Sequence, residues 1–194
     1  MRQRKLILAS SSPYRRELLK RLSGDFDSVA PDVDELSFHT GQQSSDDLAH
    51  RLAREKARAV FSQYPDAVVI GSDQLVDLDG VVFGKPGTAE VAVSQLMAMS
   101  GRSHRLLTAV CVLSPGPQVE FMEETILRMR TLSRREAERY VERDQPLDCA
   151  GSYRIESLGI ALFEHVQTND FTAIMGLPLM RLAQILRDFE FEVP

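Results

Sequence analysis

The chain has 194 residues, of which 43% are hydrophobic and 26% charged, and its formal net charge is -5. This composition supplies one sizeable core and excludes a wholly disordered chain, while the acidic balance argues against nucleic acid as a partner. No apolar run approaches the roughly 20 residues of a membrane span, and the run Leu6–Ala9 is too short for a signal peptide. We therefore expect a single domain over residues 1–194 that lies in the cytoplasm and makes no membrane contact.

The cysteines and histidines indicate no zinc centre and no disulfide scaffold. Cys111 and Cys149 stand far apart and outside any CxxC pattern, which predicts two buried free thiols. The 4 histidines are scattered along the chain without the spacing of metal ligands. Any metal ion would therefore have to be held by oxygen ligands.

The first half of the chain alternates apolar strands with amphipathic helices. In chain order, we predict a strand at Leu6–Ala9, a helix capped by Ser12 with Pro13 at its first position, a loop over 30–43, a helix from Ser44 or Ser45 to about Gln63, and a strand over 67–71. The dipeptide Asp79-Gly80 between two apolar runs then predicts a β-hairpin with a two-residue turn.

The second half continues the alternation. We predict a helix over 88–99, two long strands over 105–113 and 119–130, a helix from the capping box of Ser133 and Glu136 to about Arg143, a mostly extended segment over 155–166, and a last helix opened by Pro178. Interleaved helices and strands of this kind predict an α/β fold with a mixed sheet and flanking helices.

The turn that follows the first strand is the first candidate site. Ser10 and two further serines precede Pro13, and Arg15 and Arg16 follow on the opening helix. Hydroxyls, free backbone N–H groups and guanidinium groups at the start of a helix suit phosphate oxygens. The alternative is an ordinary capped helix with solvated arginines, and spacing alone does not decide which arginine turns inward.

Asp73 is the second candidate because it comes directly after the predicted strand over 67–71. Open α/β sheets place their ligands beyond the carboxyl ends of such strands. A carboxylate there can hold a magnesium ion or take a proton from water. The alternative is that Asp73 is only a turn residue.

The hairpin predicts a partner for that carboxylate. A two-residue loop at 79–80 pairs residue 78 with 81, and continued outward the same register sets Gln74 opposite Lys85. A lysine beside Asp73 would keep the carboxylate ionised and could hold a phosphate. The alternative is a simple cross-strand ion pair.

Two further charged groups complete the candidate set. Lys56 lies in helical register with Leu48 and Leu52, so its amine either reaches out to water or points into a cleft. Glu35 belongs to an acidic loop whose oxygens suit magnesium or manganese, and a solvated turn is the alternative.

Taken together, these pieces resemble the Maf-type nucleoside triphosphate pyrophosphatases. The resemblance covers nearly the whole chain, through LILASSSPYRRELL, APDVDE, REKA, IGSDQ, GKP, SGRSHRLLTAV, CAGSYRIESLG and GLPL, in that order. It implies an elongated α/β fold with two lobes around a central cleft, and a homodimer as a frequent assembly. It also implies a nucleoside triphosphate substrate that is cut between its α- and β-phosphates.

The resemblance assigns roles to the candidate residues. Asp73 falls on the position of the catalytic acid/base. The positions that line the phosphate and metal cleft are those of Ser10, Arg15, Glu35, Lys56 and Lys85. We accordingly expect a divalent cofactor, Mg²⁺ or Mn²⁺, held by Asp73 and Glu35.

Base preference within the family depends on three positions, which here are Tyr14, Gln74 and Glu156. They depart from the pattern of the branch that acts on dTTP and UTP and resemble the branch that acts on 7-methyl-GTP. Methylated guanine is cationic, so Tyr14 can stack on it with a cation–π attraction of ~0.5–2 kcal/mol, and Glu156 can accept from its N–H edge. The alternatives are a dTTP/UTP pyrophosphatase and a non-catalytic nucleotide-binding regulator of cell division.

Overall fold

The computed structural model describes residues 4–38 and 43–194, and the chain forms two compact units. The first unit comprises Met1–Asp73, Thr108–Glu123 and Asp170–Pro194, and the second comprises Gln74–Leu107 and Glu124–Asn169. Part of the predicted loop over 30–43, namely residues 39–42, lies outside the described residues.

In the described residues, 7 strands form one mixed sheet. Six of them follow the order β2-β1-β3-β5-β6-β7, and β4 pairs with β3 outside this order. The strands are β1 (Leu6–Ala9), β2 (Asp27–Val29), β3 (Val68–Leu78), β4 (Val81–Phe83), β5 (Ser103–Leu113), β6 (Val119–Met129) and β7 (Phe163–Gln167). The β1–β2 and β1–β3 pairs are parallel, whereas β3–β4 and β6–β7 are antiparallel.

The helices are α1 (Pro13–Leu19), α2 (Ser45–Phe61), α3 (Ala89–Met99), α4 (Arg134–Asp144), α5 (Phe171–Ile174) and α6 (Leu179–Asp188). Short 3-10 turns occur at Glu35–Phe38, Ala150–Ser152 and Leu158–Leu162. The predicted α/β class with a mixed sheet and flanking helices is confirmed. The elongated two-lobed outline and the single domain stay predictions.

The first unit buries both faces of β1. Leu6 and Leu8 pack in a cluster with residues of α1 and α6, whereas Ile7 packs in a second cluster with Val60 of α2. Successive side chains of a strand point to opposite faces, so the unbroken apolar run Leu6–Ala9 requires cover on both sides. This layering sets the carboxyl ends of β1 and the early part of β3 close to helix α2.

The second unit contains the predicted hairpin. Leu78 pairs with Val81 and Val76 with Phe83, as the register requires, and Asp79 and Gly80 adopt the positive φ angles, 52° and 84°, of a two-residue hairpin turn. The ladder ends at Phe83, so the extrapolated pairing of Gln74 with Lys85 lies beyond the paired residues.

Two sequence expectations were wrong in detail. The segment over 155–162 is a turn followed by a 3-10 turn, and extended structure begins only at Phe163. Cys149 is half-buried, whereas Cys111 is buried as expected. Within the two described stretches of chain, the helices are all too short or too polar to cross a bilayer.

Candidate functional site

A buried ion pair stands at the centre of the first unit's polar residues. The Lys56 ammonium donates to the Asp73 carboxylate, with Nζ and Oδ1 2.5 Å apart. Asp73 is only 4% exposed and Lys56 only 7%. Of the two readings that the sequence allowed for Lys56, the amine therefore turns inward rather than out to water.

Gly71 brings the two partners together. A Cβ atom at this position would lie 2.3 Å from the Ala53 carbonyl oxygen and 2.6 Å from the Ala57 nitrogen. No side chain fits in that space, so β3 approaches α2 closely only because residue 71 is glycine. The close approach sets Lys56, one position before Ala57, against Asp73, two positions after Gly71.

Glu35 joins the pair from the 3-10 turn at Glu35–Phe38. Its Oε1 lies 2.7 Å from the Lys56 ammonium, and its side chain is 52% exposed. One ammonium thus bridges a buried and a half-exposed carboxylate. The loop that the sequence marked as a source of metal ligands does reach the neighbourhood of Asp73.

The Asp73 carboxylate lies between opposing influences. Burial raises its pKa, while the positive charges of Lys56 and Arg15 oppose that rise without cancelling it. Its Oδ2 atom is buried and has no hydrogen-bond partner among the described residues. A carboxyl group with a raised pKa and an unused oxygen is suited to accepting a proton.

Arg15, and not Arg16, is the inward arginine of α1. Its Nε donates to the Gly176 carbonyl oxygen at 2.9 Å, and it interacts electrostatically with Asp73 and Glu35. Burial lowers the Arg15 pKa, against the effect of the two carboxylates, whereas Arg16 is exposed. The choice between the two arginines, which spacing left open, is thereby made by the fold.

Ser10 is buried in the turn between β1 and α1. Its Oγ accepts from the Ser12 backbone N–H at 3.1 Å, and its carbonyl oxygen accepts from the Ser28 hydroxyl at 2.8 Å. Ser12 caps α1 as predicted, with its Oγ accepting from the Arg15 N–H. These bonds hold the turn in one conformation beside the arginine.

Sequence reasoning missed the residues that hold Arg15. The Gly176 carbonyl also accepts from the Ser72 hydroxyl at 3.1 Å, so one backbone oxygen joins β3 to the arginine. Asp170 stabilises the same loop, because its carboxylate accepts from the Thr172 and Met180 N–H groups at 2.9 and 2.7 Å. The aspartate that caps α5 was the sequence signal for this loop.

The remaining predicted residues are distributed as follows. Tyr14 is half-buried on α1 in the first unit. In the second unit, Gln74 is half-buried on β3, Lys85 is exposed just after β4, and Glu156 is exposed in the turn before the 3-10 turn at Leu158–Leu162.

The donors around Asp73 fit a hard divalent cation. Among residues 4–38 and 43–194, no group of three or more His, Cys, Asp or Glu side chains could form a metal cage. The first unit provides two carboxylates that contact the same ammonium, and within those residues Asp73 Oδ2 has no hydrogen-bond partner. Mg²⁺ typically takes one or two protein carboxylates and completes its shell with water and substrate phosphates.

The chain belongs to the family described as Maf-like protein, whose model matches residues 5–189. A protein named 7-methyl-GTP pyrophosphatase from Xanthomonas axonopodis pv. citri is 50% identical to it, over 98% of this chain and 99% of the relative. A protein of the same name from Bdellovibrio bacteriovorus is 45% identical, over 97% and 98% of the two chains. The resemblance drawn from the motifs is confirmed.

Among solved structures, the chain is similar to a nucleoside-triphosphatase, also titled dITP/XTP pyrophosphatase, from Mycobacterium abscessus. The identity is 16%, the match covers 73% of this chain and 95% of the other, and the TM-score is 0.39.

Proposed function

We propose that the protein is a nucleoside triphosphate pyrophosphatase that converts 7-methyl-GTP to 7-methyl-GMP and pyrophosphate. The observation that carries the chemistry is the buried Asp73 carboxylate, whose Oδ1 is held by Lys56 and whose Oδ2 has no hydrogen-bond partner among the residues that the structure describes. The name shared by relatives at 45% and 50% identity supports the choice of substrate.

In the proposed reaction, water attacks the α-phosphorus and Asp73 accepts the proton that the water loses. A new P–O bond forms as the bond from the α-phosphorus to the bridging oxygen breaks, and pyrophosphate leaves with the electron pair. The raised pKa of Asp73 supports this role, because a base is most effective when its pKa approaches the working pH.

Two cations of the first unit support the phosphate chemistry. Arg15 is fixed through Nε by the Gly176 carbonyl, and Lys56 is fixed by Asp73 and Glu35. Fixed positive charges need no reorganisation as negative charge moves toward the leaving group. Ser10 and Lys85 stay predicted phosphate contacts.

A divalent ion, Mg²⁺ or Mn²⁺, is part of the proposal, with Asp73 and Glu35 as its protein ligands. When bound, it would draw negative charge away from the triphosphate. Lys56 then acts as the group that keeps the two carboxylates together. The cytoplasmic location, the homodimer and the base-reading roles of Tyr14, Gln74 and Glu156 stay predictions.

The test is pyrophosphate release from 7-methyl-GTP, GTP, dTTP and UTP, each with Mg²⁺ and with Mn²⁺. We expect 7-methyl-GTP to give the highest kcat/KM, and Asp73→Asn to lower kcat by about 10²–10⁴-fold, the usual contribution of a general base. A chain that prefers dTTP or UTP would belong to the other substrate branch. A chain that binds these nucleotides but releases no pyrophosphate would be a sensor.

Asp77 provides a matched control on the same strand. It is 6% exposed, accepts from the Gly80 N–H at 2.7 Å and pairs with Arg105 at 3.3 Å. We expect Asp77→Asn to lose stability and to keep pyrophosphate release within a few-fold of wild type. If both variants lose activity equally, Asp73 has no special chemical role.

A further inference from the structure

Glu156 lies at the exposed tip of a tight turn, residues 154–159, which we call the Glu156 turn. Two residues that flank it, Arg154 two positions before and Ser157 directly after, both make hydrogen bonds to one residue, Asp144, at the end of α4. From this juxtaposition we infer that Asp144 is a positioning residue that sets the direction of the Glu156 carboxylate. The inference rests on the proposed function, in which Glu156 reads the base.

Arg154 ties the N-terminal side of the turn to α4 in two ways. Its NH2 donates to Asp144 Oδ1 at 2.9 Å and also to the Asp144 carbonyl oxygen. Its backbone N–H donates to the Tyr140 hydroxyl, one helical turn before Asp144, at 3.0 Å. Both the side chain and the backbone of Arg154 are therefore fixed to the same helix end.

Ser157 fixes the C-terminal side of the Glu156 turn to the end of α4. Its hydroxyl donates to the same Asp144 Oδ1 at 2.6 Å, so one oxygen receives donors from both sides of the turn. The Asp144 side chain is only 2% exposed, whereas that of Arg154 is 27% exposed. The anchor is thus buried, and Glu156 is the part of the arrangement that meets solvent.

The backbone of the turn is closed on a single carbonyl. The Ser157 and Gly159 N–H groups donate to the Arg154 oxygen at 3.2 and 3.0 Å. A Cβ at position 159 would lie 2.3 Å from that oxygen, so glycine is required for the closure. Because both sides of the turn are fixed in this way, a change at Asp144 alters the position of Glu156.

The ionisation of Asp144 suits a residue that holds the Glu156 turn in place. Burial by itself raises the pKa of Asp144, but hydrogen bonds from Ser157, Tyr140 and Arg154 outweigh burial and hold the pKa below its usual range. Asp144 is therefore ionised wherever the enzyme works.

The experiment compares Ser157→Ala with Ser157→Thr, which retains the hydroxyl, and uses 7-methyl-GTP and GTP as substrates. We expect Ser157→Ala to raise KM for 7-methyl-GTP about 2- to 10-fold, the effect of one lost hydrogen bond, with kcat unchanged. KM for GTP should change less, and Ser157→Thr should restore the wild-type selectivity. Asp144→Asn should give the larger loss of selectivity.

Glu138→Gln is the control on the same helix, since Glu138 pairs with Arg134 at 2.9 Å on the exposed side of α4. It should leave both KM values unchanged. Amide hydrogen exchange supplies a readout that does not depend on substrate: the amides of residues 156–159 should exchange faster in Ser157→Ala than in wild type or Glu138→Gln.

Three outcomes would overturn the inference. Unchanged exchange at 156–159 would mean that Asp144 does not hold the turn. Faster exchange with unchanged selectivity, while Glu156→Gln does alter selectivity, would mean that the turn needs no such support. A wild-type enzyme without preference for 7-methyl-GTP would instead reject the proposed function, and the inference with it.

Discussion

The two units each bury an aspartate beside a cation, yet the pKa values of the two carboxylates are shifted in opposite directions. Asp73, in the first unit, has a raised pKa because burial outweighs Lys56 and Arg15. Asp144, in the second unit, has a lowered pKa because Ser157, Tyr140 and Arg154 donate to it. The balance between burial and hydrogen-bond donors therefore separates a carboxylate able to take a proton from one that serves as an anchor.

A methyl group added at Gly71 or Gly159 should disturb the surroundings of one carboxylate at a time. Gly71→Ala and Gly159→Ala each place a Cβ 2.3 Å from a backbone oxygen. Each should therefore lower the free energy of unfolding by about 3 kcal/mol or more, at the upper end of the usual effect of overpacking. We expect Gly71→Ala to abolish pyrophosphate release, whereas the main effect of Gly159→Ala should be a change in base selectivity. Urea unfolding and the substrate assay measure the two effects.

Gly24→Ala is the control for both, because a Cβ at position 24 would meet nothing within 4 Å. It should leave activity and stability near the wild-type values. Equal losses of catalysis and selectivity in Gly71→Ala and Gly159→Ala would contradict the division of roles.

His104 adds an acid-sensitive group to the second unit. Burial lowers its pKa from 6.5 to about 4, and its ring packs against Tyr153 and Phe163. The neutral ring is favoured by folding, so its stability contribution is complete above about pH 6.5 and is lost as pH falls toward 4. We expect the free energy of unfolding to fall by roughly 2–3 kcal/mol over that interval.

Chemical denaturation at a series of pH values measures this loss. His104→Phe removes the titration and should flatten the dependence between pH 6.5 and 4, at a constant cost from the Tyr153 hydroxyl, which lies 3.1 Å from His104 Nε2. The same experiment on His165→Phe, an exposed residue of β7, should retain the wild-type slope. A slope that His104→Phe leaves intact would reject the assignment.

Replacing Asp73 or Asp144 by asparagine should have unequal effects on stability. Asp144→Asn should cost about 2 kcal/mol at neutral pH, since it weakens charge-assisted hydrogen bonds to a buried acceptor. Asp73→Asn should change stability by less, because the ionised Asp73 is itself disfavoured by burial and Lys56 retains Glu35. A larger loss for Asp73→Asn would show that the Lys56 pair stabilises the fold.

The least pronounced difference concerns pH: the contributions of Asp73 and Asp144 to the free energy of unfolding should depend on pH with opposite signs. The raised pKa of Asp73 means that its contribution is greatest below the unfolded value of 3.8 and is lost as pH rises through the folded value. The lowered pKa of Asp144 means the reverse: its contribution is present above 3.8 and is lost as pH falls. The stability difference between wild type and each asparagine variant, followed from pH 3 to 7, should therefore change in opposite directions for Asp73 and Asp144.

The sequence predicted elements whose signals are local. The buried face of α2, the Asp79-Gly80 hairpin and the capping box of α4 all have the predicted residues in the predicted places. Each depends on contacts within a few positions of the chain, where side-chain periodicity and backbone preference decide the conformation.

The segment over 155–162 is one whose conformation these local signals did not predict. Its apolar residues read as a strand, but the conformation is set by Asp144 and by the closure of Gly159 on Arg154. Arg15 is a similar case, since its backbone acceptor, Gly176, is 161 positions away. The meeting of Lys56 and Asp73 was within reach of the sequence because each lies at a definite place on its helix or strand.

The bond from Arg15 Nε to the Gly176 carbonyl has a consequence for how the guanidinium can act. The planar guanidinium is hydrogen-bonded through Nε at its inner edge, and its two terminal amino groups belong to its outer edge. A lysine has a single nitrogen at its tip, and that nitrogen could not both anchor to the loop and present a flat, two-pronged face to an anion. The position therefore selects arginine for its shape as much as for its charge.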